Sequence, residues 1–545
     1  MKNLKIKVLL PILLLINYLS VAQNTYLSIQ TDNILNSKLY TFNSAKLMQN
    51  FVNDTITKIE KKGYINLEYQ LIKKDSVFNL TINRNSKIEI IKVQNVINDE
   101  NIDEITNKIE REFRFEDLNN QIKNITNYLE KHGFGFAKIQ LNNHEIVEDT
   151  LYVDYLIESE KKRYLNDIII VGYDKFPNGI IKDIKRKFIG KTFSSNTNEK
   201  ISDYLKHLNF ISNNKENEVL FEKEKTVLYI YVEKNKINKF DGYVGFGTNE
   251  ASKLVFNGYL DLQLNNSINK GEKTNIIWNS TANKQSTFNF STEIPYVFKT
   301  PIGINLELNN FKQDSTFQST QTKIGIGYYK NYNTRIFLKK INSTSTYTAH
   351  NIQNYSNYKS NFYTLNFIKE IPDNLYSTLF KNQTYINITI GVGKRVSQVI
   401  ENQKILESQF HYTFYLNSKN GLNIKNITYY LESNLYLNNE LYRIGGINTL
   451  RGFNENTLQG NFINSSLIEY RYIINNQIYF HTITDFAIIK APLLNTTTKA
   501  YSLGLGFGLF TKNGLFKLNY ANGNTSKNNF NIKNSLFHLS LNTNF

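Results

Sequence analysis

Two periodicities divide this chain. Up to about residue 235, apolar residues recur at steps of three and four between short apolar runs, which predicts helices alternating with strands. From residue 238 onward, apolar and polar residues alternate with period two. In 254–264 the leucines face one way, and Asp261 and Gln263 face the other. In 501–510, leucine and phenylalanine alternate with glycine. An apolar face backed by a polar or small face is typical of membrane β-barrel strands.

The length of the alternating region sets the strand number. About 308 residues, at roughly 19 per strand and turn, predict about 16 antiparallel strands, an even number of the bacterial type. A soluble β-sandwich or β-helix is the alternative, but it would not explain the exported N-terminus described below together with an aromatic last residue.

The helical region predicts three copies of one unit, each ordered strand, helix, helix, strand, strand. In the second copy, Ile102, Ile105, Ile109 and Phe113 predict one helix, and residues 118–129 predict another that ends at Gly133. The first copy has a helix ending at Gly63, whereas the third ends its second helix at Asn209-Phe210. The predicted domain bounds are 23–85, 86–160 and 161–236, followed by a barrel over 237–545.

Residues 1–22 predict a signal peptide. Lys2, Lys5 and Lys7 precede the apolar run 8–16, and small residues lead to a cleavage position after Ala22. A signal anchor is the alternative, but about nine apolar residues are too few to span a bilayer. Because no later run reaches 18 apolar residues, the mature chain is expected to be a soluble exported protein or an outer-membrane barrel.

Charge and cysteine content narrow the chemistry. The chain has no cysteine, which excludes disulfides, thiolate chemistry and a cysteine-linked lipid anchor. The net charge of +17 falls almost entirely on residues 236–545, while residues 24–235 are neutral overall. This uneven charge has two explanations of equal weight. One is a compositional drift toward lysine. The other is a cationic lumen, or barrel rims that contact lipid phosphates. An exported chain without a basic helix predicts no nucleic-acid partner.

Catalytic patterns are missing from the sequence. The seven histidines form no close pair of metal ligands, and neither a G-x-S-x-G motif nor a phosphate-binding glycine loop occurs. We therefore expect no enzymatic activity, no cofactor and no metal site.

One long glycine-rich loop carries a lone arginine. It reads RIGGINTLRGFNENTL over 443–458, and TITDFA follows over 482–487. The loop resembles the inward-folded loop of the BamA/TamA superfamily of outer-membrane assembly proteins, and TITDFA resembles the strand after it. The resemblance implies that Arg451 pairs with Asp485 on the barrel wall. The matching loop positions are Gly446, Leu450, Arg451, Gly452 and Phe453.

The match around this loop has two departures. Leu450 replaces the commoner valine or isoleucine, and Ala487 replaces a glycine. By the resemblance, Gly452 permits a tight turn and Phe453 packs against the wall. A solvated arginine in an external loop is the alternative.

Two further segments carry the resemblance. A helix ending in Gly-aromatic before a strand, as in the first two units, resembles the POTRA domain, and three successive units of similar order favour the TamA-like branch. The last strand, 536–545, places Phe537, Leu539, Leu541 and Phe545 on one face. It resembles the C-terminal signal of outer-membrane barrels.

The resemblance implies an assembly factor of the bacterial outer membrane. Its POTRA domains would lie in the periplasm and receive unfolded outer-membrane protein clients. The chain would also bind a periplasmic partner protein. Clients would insert into outer-membrane lipid at the junction of the first strand, near 240–247, and the last. The alternative is a two-partner-type secretion pore that translocates an unfolded exoprotein, although such a pore should carry an N-terminal plug helix. A passive porin would need no POTRA domains.

Overall fold

The computed structural model describes residues 24–32, 34–35, 38–74, 77–98, 107–248, 254–280, 285–349, 353–512, 514–526 and 535–544. The predicted signal peptide, Ile102, Ile105 and Phe545 lie outside these residues. The chain forms two compact units, residues 1–164 with 192–197, and residues 165–191 with 198–545. Within the described ranges, no helix is both long and apolar enough to cross a membrane.

The first α/β region is one sheet covered by a helix. Its elements are β1 (Thr25–Thr31), β2 (Ile34–Leu35), β3 (Tyr40–Phe42), α1 (Ala45–Glu60), β4 (Glu68–Lys74) and β5 (Val77–Asn83). The strand order is β2-β1-β5-β4, β3 also pairs with β1, and β1 and β5 run parallel. Met48 and Val52 on α1 pack against Leu27 and Leu80 in the core. The Ser44 side chain accepts a hydrogen bond from the Leu47 N–H and thereby caps α1.

The second α/β region repeats this arrangement. Its elements are β6 (Ile90–Asn98), β7 (Glu112–Arg114), α2 (Leu118–Lys131), β8 (Lys138–Val147) and β9 (Thr150–Glu158). The order is β7-β6-β9-β8, with β6 parallel to β9. The predicted helix through Ile109 and Phe113 is wrong at these two residues, because Phe113 lies in β7 opposite Ile91. Ile109 lies in a bend and Phe113 in a strand, and both side chains are buried in the same core. Their helix-like spacing therefore arises without a helix.

The third α/β region has both predicted helices. Its elements are β10 (Asp167–Val171), α3 (Asn178–Phe188), α4 (Ser195–Lys206), β11 (Ile211–Asn213), β12 (Glu218–Phe221) and β13 (Thr226–Lys234). The order is β10-β13-β11, and β12 also pairs with β13. The predicted order of strand, helix, helix, strand, strand is present here, with the short strand β11 added before β12. The predicted order is wrong for the described parts of the first two regions, where a short strand precedes a single helix.

In each α/β region, the segment that follows α1, α2 or α4 accepts a backbone hydrogen bond from the point where the chain leaves that region. The carbonyl of Gly63 accepts a hydrogen bond from the Ile88 N–H, and that of Gly133 accepts one from Arg163, both at 2.9 Å. In the third region the Phe210 carbonyl accepts from Asn235 at 2.9 Å. Gly63 has a φ of +102°, and a Cβ there would lie 2.2 Å from the Ile88 carbonyl oxygen. Glycine is thus required by both conformation and space.

The remaining residues form a closed antiparallel barrel. Its strands are β14 (Lys239–Thr248), β15 (Leu254–Asn265), β16 (Lys273–Ser280), β17 (Gln285–Ile294), β18 (Ile302–Gln313), β19 (Phe317–Asn331), β20 (Thr334–Tyr347), β21 (Tyr358–Pro372), β22 (Asn382–Val396), β23 (Ile400–Tyr415), β24 (Asn420–Glu432), β27 (Phe462–Ile473), β28 (Ile478–Ala491), β29 (Thr496–Thr511), β30 (Gly514–Thr525) and β31 (Ser535–Asn544). The short strands β25 (Tyr442–Ile444) and β26 (Leu458–Gly460) pair with each other between β24 and β27. The predicted number of 16 barrel strands is confirmed.

Alternation separates the two barrel faces. Leu338 is 70% exposed on the outside, whereas its neighbour Lys339 is 8% exposed and points into the lumen. Leu505 is likewise exposed, whereas a Cβ on its neighbour Gly506 would meet the lumenal His481 ring. The outer surface is therefore apolar and the lumen polar, as lipid and water require.

Turns at one end of the barrel contact the third α/β region. We call the end where β14 begins the near end, and the opposite end the far end. The Tyr204 hydroxyl donates to Asp183 at 2.8 Å and lies 3.0 Å from the Tyr296 hydroxyl in the β17–β18 turn. Burial raises the pKa of Tyr204, which keeps its proton available. Arg186 also donates to the Lys299 carbonyl at 2.9 Å, so α3 is fixed to this turn.

Replacing Gly63 by alanine is expected to destabilise the connection between the first two α/β regions. The left-handed conformation and the clash with Ile88 together should cost about 1–3 kcal/mol. Gly135→Ala is the matched control, because a Cβ there meets nothing within 4 Å. Limited proteolysis should cut Gly63→Ala faster near residues 84–90. Equal rates for the two variants would contradict this role of Gly63.

Candidate functional site

The segment between β24 and β27 folds back into the lumen from the far end. The Tyr442 ring on β25 stacks on Tyr429 of the wall with centroids 4.8 Å apart, and its hydroxyl donates to Glu407 at 3.1 Å. Arg395 of the wall pairs with Glu440 of the segment at 2.5 Å. We call residues 433–461 the inward loop. It contacts several wall strands and fills part of the lumen.

Arg451 lies at the tip of the inward loop and contacts two wall carboxylates. Its Nε and Nη2 donate to the two oxygens of Asp485 at 2.9 and 2.6 Å, and its backbone N–H donates to Asp485 at 3.1 Å. Its Nη1 donates to Glu469 at 2.5 Å. Arg451 is 3% exposed and Asp485 2%. Bidentate, charge-assisted bonds offset the desolvation of this buried pair.

The loop residues around Arg451 pack closely against the wall. Leu450 is fully buried in a cluster with Ile463 and Ala487, and Phe453 packs at its edge. Alanine at 487 is therefore in direct contact with the inward loop. Gly446 has a φ of +88° and closes a tight turn with Leu450.

Gly452 allows the closest approach of loop and wall. Its φ is +76°, and a Cβ there would lie 2.5 Å from the backbone nitrogen of Gly523 on β30. A Cβ on Gly523 would in turn lie 2.4 Å from the Gly452 carbonyl oxygen. Two backbones touch here because neither residue has a side chain. Gly523 was not identified from the sequence.

Glu469 is a second wall residue that sequence reasoning missed. It accepts from Arg451 and also from Arg471, whose Nη2 lies 2.7 Å away. Glu469 and Arg471 are two positions apart on β27, so both face the lumen. In the sequence, Glu469 could have been identified from two charged residues that lie two positions apart in a predicted barrel strand.

A turn at the near end also enters the lumen. Residues 373–381 join β21 to β22, yet Phe380 packs on Tyr479 of β28 with ring centroids 4.9 Å apart. Leu379 is 2% exposed in a cluster with Leu515 of β30. Thr378 donates to the Asn476 carbonyl at 2.7 Å. We call residues 373–381 the near-end plug, because they reach across the lumen to distant wall strands.

The inward loop and the near-end plug are linked through the same wall residues. The Arg471 guanidinium lies 4.1 Å from the centroid of the Phe380 ring, within cation–π range. Glu469 forms ion pairs with both Arg471 and Arg451. Contacts therefore run without a break from the inward loop to the near-end plug. The lumen is therefore occupied from both ends by parts of the chain.

Several other lumenal charges are paired with opposite charges. Arg335 is 2.6 Å from Glu370, which is 2.8 Å from Lys273. Lys339 pairs with Glu307 at 2.8 Å. Part of the positive charge of the barrel segment is thus held in internal ion pairs and contributes to a fixed lumen.

The first and last barrel strands pair weakly. Between β14 and β31 the described register consists of Lys239 with Asn544 and Phe240 with Thr543. The neighbouring ladder of β14 and β15 has ten register pairs. We call the β14–β31 junction the seam. The predicted signal residues Phe537, Leu539 and Leu541 lie on β31 and are exposed on the outer face.

Comparisons with solved structures match this architecture. The crystal structure of BamA from Haemophilus ducreyi lacking POTRA domains 1–3 has a TM-score of 0.50 and 14% identity, covering 84% of this chain and 100% of that chain. CdiB from Acinetobacter baumannii has a TM-score of 0.50 and 12% identity, covering 91% and 98%. CdiB from Escherichia coli has 0.49 and 10%, covering 92% and 97%.

This chain has the fold of BamA and CdiB. The predicted class, a transmembrane β-barrel of 16 antiparallel strands preceded by α/β POTRA domains, is confirmed. No protein-family model matches the sequence. No curated protein matches it significantly either. At these identities the likeness concerns the fold.

The structure brings Arg451 and Asp485 together and adds Glu469. Within the described residues, no group of three or more histidine, aspartate or glutamate side chains is arranged to hold a metal ion. The arrangement contains fixed ion pairs and packed apolar contacts, which suit the positioning of chain segments.

Removing the Arg451 side chain is expected to release the inward loop while the barrel stays folded. Arg451→Ala leaves the buried Asp485 carboxylate without its partner and removes one of the two arginines bonded to Glu469, which should cost about 3–5 kcal/mol locally. Lys404→Ala is the control, because its pair with Glu432 is exposed and worth about 1 kcal/mol or less. Hydrogen exchange over 443–458 should rise strongly in Arg451→Ala alone, with heat-modifiable gel mobility retained. Unchanged exchange would show that the pair does not hold the loop.

Proposed function

We propose that this protein inserts other β-barrel proteins into the bacterial outer membrane, and that insertion takes place at the seam. The weak pairing of β14 and β31 is the observation that carries this proposal. Unpaired backbone groups are not tolerated in lipid. Edge strands held by two register pairs can exchange these partners for the strand of an unfolded client, which would supply the missing hydrogen bonds.

The α/β region supplies surfaces for clients on the periplasmic side, which we assign to the near end. Each sheet ends in an edge strand, β4 in the first region and β8 in the second. On β4 the side chains of Tyr69 and Ile72 are about half exposed. An extended client can add to such an edge through backbone hydrogen bonds. The three regions favour the TamA-like branch, with unfolded outer-membrane proteins as clients and a periplasmic protein as a further partner.

A secretion pore of the two-partner type is the second candidate, and the likeness to CdiB favours it. Such a pore must pass an extended chain through the lumen. Here the inward loop and the near-end plug occupy the lumen and are joined through Glu469 and Arg471. Translocation would require both to leave, whereas insertion at the seam requires neither to do so. The occupied lumen therefore supports insertion.

Locking the seam is expected to abolish assembly activity. The chain has no native cysteine, so Phe240→Cys with Thr543→Cys gives one defined disulfide at a register pair. Leu338→Cys with Leu365→Cys is the control, a register pair in the ordinary β20–β21 ladder. Purified protein in liposomes should speed the folding of a client barrel. Oxidation should stop this in the seam variant, reduction should restore it, and the control should be unaffected. Full activity of the oxidised seam variant would contradict the proposal.

Opening the near-end plug is expected to raise ion conductance without loss of assembly activity. Phe380→Ala removes the ring that packs on Tyr479 and Arg471, so the plug should leave the lumen more often. Leu375→Ala is the matched control, because this plug residue is 64% exposed. Planar bilayers should show more frequent open events for Phe380→Ala than for the control. Parallel loss of client folding in Phe380→Ala would favour the secretion pore.

A further inference from the structure

An uncharged polar group of side chains lies on the outer face of the barrel, halfway along its strands. Asn426 and Thr428 on β24 stand opposite Ser466 and Asn464 on β27. Ser408 on β23 stands opposite Thr428. Their sequence neighbours point inward, since Lys425 donates to the inward loop at the Asn448 carbonyl and Ser465 to the Thr449 carbonyl. We call these five outward residues the polar island.

Apolar side chains surround the polar island. The outward positions next to it in the strand registers are apolar or aromatic: Leu406, Phe410, Ile424, Tyr430, Phe462, Ile468, Phe486 and Ile488. The polar island therefore lies within the apolar band and away from the lipid head groups. Hydrocarbon offers hydrogen-bonding groups no partner, so exposing amides and hydroxyls there is unfavourable.

The members of the polar island bond to one another and still leave hydrogen-bonding capacity. Asn426 donates to Ser466 at 2.8 Å, and Asn464 donates to Thr428 at 2.7 Å. Thr428 in turn donates to Asn426 at 3.1 Å. Within the described part of the chain, Ser408 makes no side-chain hydrogen bond. The two amides also donate to each other's carbonyl at 3.4 and 3.5 Å, so the hydroxyls of Ser408 and Ser466, which can donate and accept, carry most of the remaining capacity.

We propose that the polar island is the contact surface for a second copy of this chain in the membrane. A two-fold interface places the same patch on both sides, so the patch must be complementary to itself. Amides and hydroxyls meet this condition because they donate and accept, whereas a charged patch would repel its copy. The island contains no charge. Polar side chains and small residues are the groups that join protein surfaces within lipid.

The position of the island is compatible with the proposed insertion at the seam. β24 and β27 are the eleventh and twelfth strands of the barrel, and three strands separate β27 from β31. A dimer formed there leaves both seams open to clients. Its contact surface also lies directly behind the wall residues that hold the inward loop. The inference goes beyond the proposed function and does not depend on it, since it requires the barrel to lie in lipid and nothing of its clients.

Cysteine cross-linking in membranes tests this proposal, because the chain has no native cysteine. Ser408→Cys and Ser466→Cys place one thiol on either side of the island, and Ile324→Cys on β19 is the control, an outward residue that is 55% exposed. Outer membranes of a Gram-negative host producing the full chain are treated with a short bis-maleimide. A covalent dimer of the chain is expected from at least one island variant, at several times the yield of the control.

A second variant separates a specific interface from random collisions. Asn426→Leu with Asn464→Leu removes the amides but keeps an apolar outer face, and should reduce dimer yield to the control level while heat-modifiable mobility shows a folded barrel. Dimer yields at the control level in both island variants would overturn the proposal. So would cross-links from the island to a different protein, or dimers that persist in the double leucine variant.

Discussion

In lipid, every backbone N–H and C=O must find a partner within the protein, and the rest of this structure depends on that constraint. It explains why residues beyond 238 form a closed ring of 16 strands. It also makes the seam exceptional, because β14 and β31 share two described register pairs, whereas β14 and β15 share ten. A strand edge that is nearly unpaired in lipid is a site where another strand gains most by binding.

Strand exchange at the seam, as proposed, requires a stable interior. The lumen provides it through buried ion pairs and two inserted segments, the inward loop and the near-end plug. Glu469 is central because it bonds to Arg451 of the loop and to Arg471, which lies over Phe380 of the plug. Buried pairs of this kind contribute little net stability but strongly disfavour partial opening. In the proposed mechanism, the inward loop and the near-end plug therefore stay in the lumen when a client strand binds at the seam.

The sequence predicted the barrel class and the strand number because period two is a local signal, whereas the Arg451–Asp485 pair was implied by the family resemblance of residues 443–458 and 482–487. Contacts set by distant strands were not predicted. Gly523 is important because its backbone touches that of Gly452, although the two residues are far apart in the chain, and residues 373–381 look like an ordinary turn in the sequence. The helix predicted through Phe113 failed because its apolar residues come from a bend and a strand that share one core. A spacing of four residues between apolar side chains does not distinguish a helix from a bend that is followed by a strand.

Photo-cross-linking during client assembly distinguishes insertion at the seam from passage through the lumen. A photoreactive residue is placed at Phe240 on the seam or at the lumenal Gln409 on β23, and an unfolded barrel client is added to the protein in liposomes. We expect adducts between Phe240 and the terminal strand of the client during folding, and background levels at Gln409. Adducts concentrated at Gln409, with none at Phe240, would contradict insertion at the seam and show that clients pass through the lumen.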